Sequence, residues 1–122
     1  MVLLPQKRDE LFHYLRALAS LDYQQQVWLE GVAVPGIGQD SFGYALTFFF
    51  HDTMLAEAPE NNLGTILEYD SEVPVIRRVG EALILVLTQY GDDRPDADYV
   101  TCAEWEAVVT AASEAVGFYG IG

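Results

Sequence analysis

Residues 71–91 read SEVPVIRRVGEALILVLTQYG. Val73, Ile76, Gly80, Leu83, Leu87 and Tyr90 recur in steps of three and four, and Val75, Val79, Ala82 and Val86 form a second row beside them. That spacing predicts a helix that is apolar on most of its circumference. Such a helix has to be surrounded by other elements. Ser71 is a suitable N-cap, Pro74 sits in the first turn where its missing N–H is no loss, and Gly91 is a natural terminator. Immediately after it comes DDRPDAD, four carboxylates in seven residues. The most buried segment therefore opens directly into the most acidic loop.

Working outward, Thr101 to Gly117 reads as the last helix. Thr101 with Glu104 fits a capping box, and Trp105, Val108, Val109, Ala112 and Val116 share one face. Upstream, Pro5 to Ser20 reads as an amphipathic first helix with Leu11, Phe12, Leu15, Leu18 and Ala19 inward. Asp22 can cap a short continuation burying Tyr23 and Val27, and a strand through 25–29 competes with it. GVAVPGIGQD, residues 31–40, is a loop by its three glycines and proline. Residues 41–53, SFGYALTFFFHDT, are read as a helix capped by Asp40 or Ser41, with a buried strand over 42–50 as the alternative. The segment from Met54 to Asp70 holds Pro59, Asn61, Asn62 and Gly64 and is expected to be mostly irregular. The expected fold is thus mostly α, one domain of about four to six helices around the 71–91 helix.

At 122 residues the chain suits one domain burying roughly two-thirds of its unfolded surface. Its longest apolar run, Ala82 to Leu87, is far short of the about 20 residues that span a bilayer. MVLLPQKRDELF lacks the order of a secretory signal, because its apolar residues precede the basic ones. A cytoplasmic location is expected. The single cysteine, Cys102, excludes an internal disulfide, in agreement with a reducing compartment.

Charge is the outlying property. Nineteen acids against six bases give −13; residues 1–30 hold four acids and three bases, and residues 31–122 hold fifteen and three. A field of that sign repels nucleic acid and anionic membranes and steers basic proteins inward. The Gly-rich loop lacks the Lys-Ser/Thr of a phosphate-binding loop. Asp92, Asp93, Asp96 and Asp98 lack the glycine and the twelfth-position Glu of a calcium loop. His13 and His51 stand apart without metal-ligand spacing. No cofactor or metal is expected, and no catalytic signature. One enzymatic alternative would use His51 and Asp52 with Cys102, whose thiol would fall in the first turn of the last helix.

The reading that remains is recognition. Glu68, Asp70 and Glu72 before the central helix, and Asp92, Asp93, Asp96 and Asp98 after it, are interleaved with Tyr69, Tyr90 and Tyr99. Tyrosines among carboxylates are what a binder of a basic protein presents. The same residues also describe a solvated acidic rim.

Y-Q-x-x-V-W at 23–28, H-D-T at 51–53, G-T-I-L at 64–67, E-V at 72–73 and W-x-x-V-x-x-A-A at 105–112 together resemble a loosely defined family of small bacterial cytoplasmic proteins of unknown role. None of these pieces is a catalytic motif, so the resemblance carries over no functional residue. In size, helicity and acidity the chain is also similar to the immunity proteins of contact-dependent and other polymorphic toxin systems. That likeness implies an inhibitor docked on a cognate basic toxin, of nuclease type, through the 68–72 and 92–98 segments. A DNA mimic acting on a nucleic-acid-binding protein would rest on the same charges.

Overall fold

A computed structural model describes residues 1–122. Six α-helices follow in order: α1 (Pro5–Ala19), α2 (Leu21–Tyr23), α3 (Phe42–Thr47), α4 (Glu72–Tyr90), α5 (Asp96–Val100) and α6 (Trp105–Tyr119). α2 runs on as a wide π-helical turn over Gln24–Leu29, α3 likewise over Phe48–Asp52, and Pro59–Asn62 forms a short 3-10 turn. The strand alternatives at 25–29 and 42–50 are therefore settled as helix. The extended pairing is confined to two isolated bridges, Val34 with Gly38 and Leu63 with Leu67.

α6 packs on both α1 and α4, so it lies between the two other long helices. Its buried side is made of Val108, Ala111, Ala112 and Ala115, and short side chains let both neighbours approach closely. The bundle is centred less on α4 than its apolar pattern suggests. Leu83, Val79, Ile76 and Val86 of α4 do enter one core of 26 residues shared with Leu11 and Leu15 of α1, Phe42 and Phe49 of the α3 arm, and Trp105 of α6. Ile84 and Leu85, however, are 37% and 46% exposed. α4 is apolar almost all round yet uncovered on one side.

Several helix ends differ from the expected ones. Ser20, not Asp22, caps α2, accepting the Tyr23 N–H at 3.1 Å. Ser41 caps α3 through its Oγ. The Ser71 hydroxyl caps nothing; the N–H groups of Glu72 and Val73 donate instead to the backbone carbonyls of Tyr69 and Asp70. The capping box at Thr101 and Glu104 does not form, because residues 96–100 are already helical and α6 starts only at Trp105. The Thr101 hydroxyl donates back to the Ala97 carbonyl at 2.6 Å, and Glu104 accepts the Tyr90 hydroxyl at 2.6 Å. Cys102 therefore lies in the turn before α6 and not within its first turn.

Gly91 ends α4 with φ 78° and ψ −174°, a region that essentially only glycine occupies. Its carbonyl accepts the buried Tyr99 hydroxyl at 2.6 Å, which fixes the α4–α5 corner. Gly91→Ala is expected to lower stability by about 2 kcal/mol. A urea titration measures it, and a midpoint equal to the parent's would refute the strain argument.

Candidate interaction face

The two acidic segments singled out in the sequence stand at opposite ends of α4. Nineteen residues at about 1.5 Å rise separate them by about 28 Å, so they form two patches. At the first, Glu68, Tyr69 and Asp70 are exposed, and Glu68 accepts the N-terminal ammonium at 2.9 Å. Glu72 is a correction: it is 1% exposed and wholly engaged. Its Oε1 accepts Arg8 Nη1 at 2.8 Å and the Tyr119 hydroxyl at 2.7 Å, and its Oε2 accepts the N–H groups of Glu68 and Tyr69, each at 2.8 Å. Burial raises the Glu72 pKa, but the bonds from Tyr119, Arg8, Tyr69 and Glu68 outweigh it and hold the group below its ordinary value. This carboxylate ties α1, α4 and α6 together and offers nothing to a partner.

At the second patch Asp92, Asp93 and Asp98 are exposed, and Arg94 Nη1 stands 3.7 Å from Asp98. Two of the expected contact residues turn inward. Tyr99 is 2% exposed. Asp96 is half-buried and accepts the Phe42 N–H at 3.1 Å, at the start of α3. Burial raises its pKa, with nearby Asp40 adding to the shift against the Phe42 bond.

The imidazoles and the thiol occupy three separate places. His51 and Asp52 are exposed, and His51 shares a shallow cavity of about 290 Å³ with Asp92. Cys102 lies beside Leu21 and Trp105 in another. His13 belongs to a network invisible in the sequence, its Nε2 standing 3.1 Å from Asp40 Oδ2, which also accepts the Tyr23 hydroxyl at 2.6 Å. Asp40 Oδ1 accepts the Ser41 N–H at 2.9 Å. Burial raises the Asp40 pKa, but the bonds from His13, Tyr23 and Ser41 bring it below the ordinary range. Tyr14, on the same cleft, is pushed up to about 12 by burial and by Asp40. An oriented imidazole can accept a proton, yet no serine or cysteine lines this cleft, and the network's visible work is to hold α1, α2 and the start of α3 together.

The feature that stands out on the surface is the open side of α4. Ile84 and Leu85 crest it. On one flank a groove of about 680 Å³ runs between α4 and α6, floored by Ala82, Ala107 and Ala111, with Glu81 on one bank and Glu106 on the other. On the other flank Leu46, Phe50 and Leu87 line shallower cavities that end at Asp92 and at Glu57. The cations of this side are neutralised from within: Arg77 pairs with Glu60, and Arg78 with Glu114 at 3.5 Å. Of the six basic side chains only Arg16 lacks an ion pair. Exposed pairs like these add little stability, but they leave Glu81, Glu106, Asp92 and Asp93 to set the local potential. The sequence concealed this face because an apolar residue on a helix reads as core whichever way it points.

The chain belongs to the family described as Domain of unknown function (DUF7945), which it matches over residues 2–118. No curated protein and no solved structure matches it. No helix is long and apolar enough to cross a membrane.

Proposed function

We propose that this chain, whose family assigns it no activity, is a non-enzymatic acidic protein that docks on a basic protein in the cytoplasm. The model for its action is an immunity protein occluding the active face of a basic toxin of nuclease type. One observation supports the reading above the others. Exposed Ile84 and Leu85 form a desolvatable strip, unpaired Glu81, Glu106 and Asp92 border it, and every arginine beside it is already neutralised. An apolar centre with a charged rim of one sign is the composition of a protein interface, and the rim sets the speed of encounter. Glu68, Tyr69 and Asp70, about 28 Å away along α4, form an outlying part of the same negative surface.

The test uses a basic protein captured from the native host. Replacing Asp92, Asp93 and Asp98 together by Asn is expected to slow its association about tenfold at low salt and to flatten the salt dependence. Leu85→Asp should instead shorten the lifetime of the complex, because it places a charge in the interface core. An on-rate unmoved by the triple change would remove the loop from the encounter surface. Failure to capture any basic protein would count against the whole reading.

A further inference from the structure

We infer that the groove between α4 and α6 receives one α-helix of the partner, a helix whose apolar strip is flanked on both sides by lysine or arginine. The inference rests on the basic-partner reading above and names the element that enters. Ala107 and Ala111 recur at a four-residue interval on α6, with Ala103 one step earlier in the turn before it, and Ala82 faces them from α4. Side chains this short let a third helix axis come within about 8 Å. Exposed Leu85 supplies an apolar wall. The nine residues 103–111, eight steps of about 1.5 Å, give the groove a length of about 12 Å, enough for two turns of an incoming helix.

Charge complementarity selects the occupant. Glu81 and Glu106 stand on opposite banks without an ion-pair partner, while the one cation in the groove, Arg78, is held by Glu114 at 3.5 Å. Both banks therefore call for positive charge. A second copy of this chain would bring its own −13 against the same carboxylates and is repelled. An extended peptide has no sheet edge to join, since the chain has no strand longer than a single bridge, and the backbone of both banks is already hydrogen-bonded within helices. A helix brings its own backbone bonds satisfied.

The probe is a synthetic peptide of about four turns with alanine and leucine on one face and lysine on its flanks, compared with the same residues in shuffled order. Fluorescence anisotropy at low salt should show the amphipathic peptide binding at least tenfold tighter than the shuffled one, with a rise in peptide helicity by circular dichroism. Ala107→Arg, at an exposed position, should weaken that binding at least tenfold; if this variant fails to fold, Ala103→Arg in the preceding turn takes its place. Equal binding of both peptides would leave the basic-partner reading standing and overturn the helix in the groove. Binding untouched by the Ala→Arg change would also overturn it, as would self-association of the free chain through this face in sedimentation. Binding of neither peptide would overturn both.

Discussion

Glu72→Ala is expected to remove about 4 kcal/mol of stability, a large part of the 5–15 kcal/mol that holds a domain of ordinary stability together. The reason lies in what the change leaves behind. Arg8 keeps a guanidinium that is largely sheltered, with its contact to the Ile66 carbonyl at 2.8 Å and its stacking over Phe12 and Tyr119, but loses its counter-charge. The Tyr119 hydroxyl and the N–H groups of Glu68 and Tyr69 lose an acceptor that is itself only 1% exposed. Each orphaned group carries its own desolvation penalty. Arg8→Ala is expected to cost nearly as much, and the double variant less than the sum of the two, because removing both charges leaves neither one unpaired. Urea midpoints of the three variants check this. Strict additivity would mean that the two side chains do not interact.

The same group gives a pH dependence with a definite sign. The folded-state pKa of Glu72 lies below its ordinary value, so the folded state binds the proton more weakly than the unfolded chain. The contribution is therefore fully present above the unfolded value of about 4.3 and is lost as pH falls through the folded value. Asp40 acts in the same direction, while Asp96, whose pKa is raised, acts in the opposite one. The difference between parent and Glu72→Gln isolates the Glu72 share. The parent should lose stability more steeply than the variant below pH about 4.3, and parallel curves would contradict the assignment.

What could be read without coordinates were features whose cause is local. α4 is marked by Pro74 and Gly91, and residues 41–53 by Ser41, so their helical state follows from neighbours a few positions away. α5 was missed: Asp96 and Asp98 in its first turn suit the positive end of a helix and Pro95 precedes it, but the carboxylates of residues 92–98 read as an acidic loop. The T-x-x-E at 101–104 shows the opposite failure, a capping pattern consumed by an earlier helix. Most of what was missed depends on long-range partners. Glu72 finds Arg8 64 residues away and Tyr119 47 residues away, and His13 finds Asp40 across 27. A charged residue next to an exposed Asp70 reads as surface until such partners are known. The open side of α4 is a further case, because its exposure is set by where α6 stops covering it.

Gly80→Ala, in the middle of α4, is expected to destabilise by about 3 kcal/mol, although alanine is the better helix former by about 1 kcal/mol. A methyl group there would stand 2.8 Å from the Cα of Ala56 and 2.9 Å from its carbonyl carbon, and closer still to the carbonyl oxygen. Backbone cannot turn aside as a side chain can. The opposing segment is also pinned: the Ala56 N–H donates to the Phe49 carbonyl at 3.1 Å, the Leu55 N–H to Thr53 Oγ1 at 3.2 Å, and Asn62 Nδ2 to the Thr53 carbonyl at 2.9 Å. Leu55 beside it is fully buried. Accommodating the methyl means moving the whole connection off α4, which opens the core and separates Glu57 and Phe50 from Ile84 on the outer face. A lowered urea midpoint with an unchanged m value would record a loss of packing without a change in the unfolded ensemble. A variant as stable as the parent would mean that residues 53–58 slide freely against α4, and the groove lined by Phe50 and Leu87 would then have no fixed width.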